Sequence, residues 1–321
     1  MKIEREHDSL LVADQSKRFD CSVPNRWLAF ELSVLRRLRF SSVIEPFAGD
    51  ALLGARLKRW GARVVVNDIA RWAWTCGVAR VQNNAAQLDE SDINLVLEDA
   101  YVPRYRLHNA ALRRWFGEAD ACWLDNVRQN IERLPNAASR AVALVTAMMT
   151  GDYALSFTAG TARLRQPLSQ VFRRLWQTLP PPFDNGQTNT AANEEASALV
   201  AEQKADLLFV RLPRPRPQRR WAWRETWVRG DDAWQREICA TLANRLGAIV
   251  ASKQQFFRSL EELLEAAKQI PQWAIAWTED GSILAEEIAQ VVSRLRKVDT
   301  IYTKDFSELM NGRATIITAA V

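Results

Sequence analysis

Histidine is almost missing from this chain of 321 residues, which holds only His7 and His108. Cysteine is sparse and scattered: Cys21, Cys76, Cys122 and Cys239 stand far apart, with no Cys-x-x-Cys pair among them. These shortages exclude structural zinc and iron–sulfur centres and leave little for Cys–His nucleophilic chemistry. They also exclude a disulfide framework, which needs dense cysteine in a small secreted chain. The opening run Met1-Lys2-Ile3-Glu4-Arg5-Glu6-His7-Asp8 is charged and has no apolar signal core behind it. A reducing, bacterial cytoplasm is therefore the expected compartment. No window approaches eighteen uninterrupted apolar residues, so no membrane span is expected. Lysine is also scarce, with 8 Lys beside 35 Arg, and guanidinium groups carry nearly all of the basic charge behind the net +5. That bias fits phosphate recognition by a planar donor fork and equally the codon usage of a GC-rich genome.

What is present is ordinary globular material, 48% hydrophobic and 25% charged, which excludes disorder, collagen and coiled coil. From Ser41 to Asp99 the pattern alternates as strand, Gly-containing turn, helix, strand, helix, strand. Ser41 to Pro46 is a short apolar run, and after Gly49 the residues Leu53, Leu57 and Trp60 share one helical face. Ala62 to Asn67, with Val64-Val65-Val66, has the composition of a buried parallel strand. A long helix through Trp72, Cys76, Val78 and Val81 leads to Ile93–Asp99, which reads as a third strand. Residues 105–204 turn helical and rich in Ala and Arg, and read as an insertion. The Pro, Gly and Asn loop at 179–190 within it reads as mobile or as a contact loop. Strand patterns return at 205–210, 272–277 and 313–318, separated by helices around 231–246, 255–269 and 283–295. The expected architecture is α/β, a Rossmann-like, doubly wound, mostly parallel sheet built from 22–104 and 205–321. A helical insertion lobe (105–204) and an N-terminal extension (1–21) complete it.

The first turn carries the most specific pattern. Glu45-Pro46-Phe47-Ala48-Gly49-Asp50 lies where a strand hands over to a helix, so its amides suit an anionic or polar group. Asn67-Asp68 follows nineteen positions after Gly49 and closes the next strand, where nucleotide-binding folds place a ribose-binding carboxylate. A tight turn with an N-capping aspartate produces the same pattern. Glu45-Pro46-Phe47-Ala48-Gly49 with Val66-Asn67-Asp68 resembles the S-adenosylmethionine loop and ribose-binding acid of Dam-like adenine-specific DNA methyltransferases. Three further stretches fall in that family's order: Phe116–Ile131, Ala205–Arg214 and Ala276–Ile288. The resemblance runs from about residue 22 to the end. It implies S-adenosylmethionine as cofactor, with Glu45, Pro46, Phe47, Ala48, Gly49, Asp68 and Asp99 as its contacts, and DNA as partner.

In that family an Asp or Asn, two prolines and an aromatic ring hold the flipped adenine. The resemblance places Arg211, Leu212, Pro213 and Arg214 at those four positions. Arginine has donors only. It cannot accept hydrogen bonds from the exocyclic amine, and its charge opposes the one that develops on the nitrogen. Asp50 adds a carboxylate where the methionine carboxylate of the cofactor is expected, unless it turns away to cap the helix. The expectation is a degenerate, inactive methyltransferase that binds DNA, as a non-catalytic subunit of a restriction-modification or other phage-defence assembly. Two rival readings stay open. One is an active adenine methyltransferase whose acceptor comes from elsewhere, for example Asp231 or Asp232. The other is a scaffold that grips an acidic protein.

The stretch that replaces the catalytic loop is the most unusual in the chain. Residues 211–236 hold eight Arg and three acids, a net +5 that equals the charge of the whole protein. Alternating Arg and Pro favours an extended backbone. Arg214, Arg216, Arg219, Arg220 and Arg224 with Trp221 and Trp223 form a candidate nucleic-acid surface, cations for phosphates and rings for bases. The alternative packs Trp221 and Trp223 in the core and leaves the arginines as a solvated or ion-paired rim. Arg113 and Arg114, with Arg163, Arg165, Arg173 and Arg174, form a second basic set in the insertion.

Overall fold

The apolar runs around Val43, Val65, Leu208, Ile275 and Ile316 become adjacent strands of one sheet. The computed structural model describes residues 25–102, 106–158, 160–213, 222–248, 250, 252–279, 283–306 and 312–321. In it β1 (Ser42–Glu45), β2 (Arg63–Asn67), β3 (Thr190–Ala192), β4 (Leu207–Arg211), β5 (Gln272–Glu279), β6 (Lys297–Asp305) and β7 (Arg313–Ala320) lie in the order β3-β2-β1-β4-β5-β7-β6. The first five run parallel, and β7 pairs antiparallel with both β5 and β6. The protein is thus α/β with a mixed sheet, and twelve α-helices surround it among the described residues.

Burial explains which strands are central. In β1, β2, β4, β5 and β7 nearly every residue is buried, because both faces of the sheet are covered. Alternate side chains divide between two cores. Val43, Val64, Val66, Leu207, Phe209, Ala274, Ala276 and Ile316 face one, and Ile44, Val65, Leu208, Val210, Trp273, Ile275, Trp277 and Ile317 face the other. The first core takes α1 (Asn25–Leu35), α2 (Leu52–Arg59) and most of the helical excursion. The second takes α8 (Ala196–Glu202), α11 (Lys253–Ala266) and α12 (Ala285–Leu295).

Three expectations are corrected. Ile93–Asp99 is not a strand: α4 (Glu90–Val96) occupies it, started by a reciprocal cap in which Asp89 Oδ1 accepts from Asp92 N and Asp92 Oδ2 from Asp89 N. The third strand of the parallel set is Thr190–Ala192, and the excursion between it and β2 begins at Arg71. It comprises α3 (Arg71–Gly77) with a π-helical continuation to Gln82, α4, α5 (Glu118–Glu132), α6 (Ala137–Leu155) and α7 (Leu168–Gln177). The loop at 179–190 is tied down. Asn185 Nδ2 donates to the carbonyls of Lys58 and Ala62, and Asn189 Oδ1 accepts from Val64 N at 2.9 Å. β6 is a polar edge strand, mostly exposed, without the apolar run by which the others are recognised.

Between β4 and β5 run α9 (Ala222–Arg229), α10 (Trp234–Thr241) and α11. The second of the two tryptophans in Trp221-Ala222-Trp223 enters the core: Trp223 packs edge-on against Phe116, 5.1 Å between centroids, and beside Trp227. Trp227 Nε1 donates to Leu124 O at 2.8 Å. Gly151 of α6 faces Trp223 so closely that a Cβ there would lie 2.3 Å from Cη2 of the ring. Gly151→Ala is expected to lower stability by about 1–3 kcal/mol through overpacking, read as a lower urea midpoint with an unchanged slope. A midpoint equal to wild type would show that the ring can move aside.

Candidate functional site

β1 lies between β2 and β4, so the chain leaves β1 toward one half of the sheet and later returns to the other. Crevices outside the carboxyl ends of strands at such a reversal are where open α/β sheets bind ligands. The loop Pro46-Phe47-Ala48-Gly49-Asp50, the Asn67-Asp68 pair and Arg211-Leu212-Pro213 all meet there. Gly49 (φ 56°) and Ala51 (φ 55°) adopt left-handed backbone, which folds the loop back before α2. A Cβ on Gly49 would meet nothing within 4 Å.

Three amides of the loop are already bonded. Ala48 N donates to Asn67 O at 2.9 Å, Gly49 N to Asp68 Oδ2 at 3.1 Å and Ala51 N to Ala48 O at 2.9 Å. Asp50 does turn to the helix start, where Oδ1 accepts from Leu52 N at 3.3 Å. Asn67 Nδ2 bonds the carbonyls of Pro46 and Glu194, and ties the loop to the β3 side. Asp68 also accepts from Ala70 N. Burial pushes its carboxyl up to about 6 despite the two amide donors, and Glu225 adds to the rise. The expected ribose-binding acid is therefore engaged with the expected cofactor loop itself.

Arg211 is the second feature. It ends β4 and forms a bidentate pair with Glu31 of α1, Nε to Oε1 at 2.9 Å and Nη2 to Oε2 at 2.7 Å. Glu31 is fully buried and also accepts from Trp27 Nε1 at 2.6 Å. Burial opposes the charge on Arg211, but Glu31, and beyond it Glu45 and Asp50, hold its guanidinium above the ordinary range. Glu45, at the end of β1, is buried, and its Oε1 has no hydrogen-bond partner among the described residues. Burial raises its carboxyl to about 8; Arg211 works against that rise, and Glu31 and Asp50 add to it. Gly54 makes room for this group, because a Cβ there would stand 3.0 Å from Glu45 Oε1. Of the neighbouring residues, Leu212 is buried in the second core, and Pro213 lies against Gly247.

The remaining predicted residues are dispersed. Asp99 is not at a strand end but in an exposed turn after α4, with φ 47° and its carbonyl bonded by Asn126. Trp223 is 1% exposed and offers no face to a base, and Arg224 is buried beside Asp152 and over the Trp72 ring. Arg113 pairs with Glu118 and Arg114 with Asp232, and Arg165 and Arg173 pair with Asp120 and Glu90. Four of the six arginines of the second basic set are thus paired with carboxylates. Asp232 borders a cavity of about 440 Å³ with His108, Arg114 and Asp231, all outside the sheet. Arg214, Arg216, Arg219, Arg220 and Trp221 lie outside the described residues.

Two buried acids escaped the sequence reading. Glu31 is one, a single acid inside the apolar run Trp27-Leu28-Ala29-Phe30-Glu31-Leu32, and that isolation is a signal. Glu225 is the other: it accepts from Arg71 N and Trp72 N at 3.1 and 3.0 Å and caps α3 from a distant helix. No protein-family model matches this chain, and no curated protein matches it.

Arg211→Met is expected to cost about 3–5 kcal/mol, because it strands a buried carboxylate, and Glu31→Leu combined with it should recover most of the loss. Urea denaturation of both variants checks this, and an equal loss in the double variant would assign the cost to packing instead. Glu45 favours its neutral form in the fold. Its stabilisation is complete below its ordinary value of 4.5 and is lost as pH rises through about 8. Relative to Glu45→Gln, the wild type should lose stability at about 1.4 kcal/mol per pH unit across that window. Urea melts at several pH values that run parallel for the two proteins would contradict this.

Proposed function

We propose that this chain is a catalytically silent member of the S-adenosylmethionine-dependent DNA methyltransferase type that binds DNA. The observation that carries the reading is Arg211 at the acceptor position, locked to Glu31. An adenine amine presented there would meet donors only. The proton that leaves the amine would have no base at this position to take it, and the positive charge growing on nitrogen would face a fixed cation.

The sheet supports the family reading. Its order β3-β2-β1-β4-β5 is that of a Rossmann-type sheet, with β7 added antiparallel between β5 and β6. The cofactor loop supports the loss of chemistry. Its glycine amide is already bonded to Asp68, and Asp50 adds a carboxylate in the same turn. DNA binding is supported by the charge of 211–236, read from the sequence. Arg214, Arg216, Arg219 and Arg220 stand between β4 and α9 in the sequence.

Isothermal titration with S-adenosylmethionine should show no saturable binding, whereas a labelled duplex should bind with strong dependence on salt. Arg214→Ala, Arg216→Ala, Arg219→Ala and Arg220→Ala together should weaken duplex binding and reduce the logarithmic salt slope by about 0.9 for each phosphate left without its cation. Micromolar cofactor binding would restore the active-enzyme reading. Unchanged duplex affinity and slope in the fourfold variant would remove the DNA role from this segment.

A further inference from the structure

The distribution of ion pairs singles out another surface. In the helical lobe Arg113, Arg114, Arg128, Arg133, Arg165 and Arg173 each pair with a carboxylate. Arg36, Arg37, Arg39, Arg56 and Arg59 do not, among the described residues, although all five are exposed. They lie at the ends of α1 and α2, where the chain turns back to start β1 and β2. The loop before β3 joins them there. This is the amino edge of the parallel sheet, opposite the glycine loop.

Three of these guanidinium groups lie over aromatic rings. Arg59 covers Phe183 at 5.3 Å, Arg36 covers Trp60 at 5.3 Å and Arg37 covers Tyr302 at 5.2 Å. Arg59 and Trp60 are neighbours in sequence, as are Arg36 and Arg37, so the contacts run unbroken from Phe183 through Arg59, Trp60, Arg36 and Arg37 to Tyr302. Arg59 is further fixed to Pro181 O at 3.0 Å. Trp60 and Phe183 remain 40% and 37% exposed. Two carboxylates near this strip are already bonded. Asp184 accepts from Gly186 N, and Asp206 accepts from Ser41 N, Ser41 Oγ and Ser42 N. Arg36, Arg37, Arg39, Arg56 and Arg59 make no ion pair with either of them among the described residues.

We propose that this strip is a second nucleic-acid surface, which holds a single strand by phosphate contacts to Arg36, Arg37, Arg39, Arg56 and Arg59 and by base stacking at Trp60 and Phe183. Cations without a carboxylate partner release counterions when phosphates arrive, and partly exposed rings backed by guanidinium groups stack on bases without regard to sequence. An ion-paired surface like that of the lobe gains neither. The inference stands apart from the reading of the β4–α9 segment, because it uses none of that segment's residues.

The test is fluorescence anisotropy of a labelled 20-nucleotide oligo-dT strand over a range of salt. The proteins compared are wild type, the fourfold 214–220 alanine variant, Arg39→Gln with Arg56→Gln, the full set of five Arg→Gln changes, and Trp60→Ala. The Arg39 and Arg56 side chains make no hydrogen bond or ion pair among the described residues, so their double variant keeps the fold, which thermal melting checks. It should weaken binding and lower the salt slope by about 0.7 for each phosphate no longer neutralised, and the five-residue variant should do so further. Trp60→Ala should weaken binding about fivefold or more with the slope unchanged. These losses should persist in the fourfold 214–220 background. Wild-type affinity and slope in both arginine variants would overturn the proposal, whatever becomes of the 214–220 segment.

Discussion

The bidentate pair between Glu31 and Arg211 is the constraint around which the rest of this protein is arranged. Glu31 is fully buried and the Arg211 side chain 19% exposed, so loss of Arg211 leaves a carboxylate that water cannot reach. The pair joins the first described helix to the end of the central strand across 180 positions of sequence. It fixes α1 on the sheet, where Trp27, Phe30 and Phe306 pack against one another above the small side chains Ala274, Ala276 and Ala314. It also places a permanent cation at the carboxyl edge of β4.

The neighbouring acids adjust to that cation. Glu45 lies close enough to feel Arg211, yet burial dominates, and its carboxyl is held neutral over most of the physiological range. Asp68 is drawn into the glycine loop rather than left open to a ligand. A loop with three amides already bonded, that of its glycine among them, and with several acids nearby offers an anion fewer donors. The same residues that resemble a cofactor loop therefore build a structural corner of the sheet.

Charge pairing also separates surfaces that composition alone makes equivalent. Arginine is abundant throughout, but the lobe balances its guanidinium groups with acids one helix away, while the amino edge backs its own with aromatic rings. Such a difference changes what a surface can attract, because a cation already bonded to a carboxylate has little left to gain from a phosphate.

The sequence by itself determined the central strands, since residues buried on both faces must be apolar throughout, and β1, β2, β4, β5 and β7 declare themselves by that. It also determined the turn after β1, where Gly49 takes up a left-handed backbone. It could not decide Ile93–Asp99, because a short apolar run suits a strand or a helix, and only the Asp89 cap made it a helix. β6 and the three-residue β3 carry too little apolar signal, and pairing with neighbours defines them. Whether Trp223 would face water or core, which arginines would find partners, and that Glu31 would meet Arg211 were settled in three dimensions only. Those outcomes depend on which distant side chains come within a few ångströms of one another, and a linear pattern records spacing along the chain but not proximity across it.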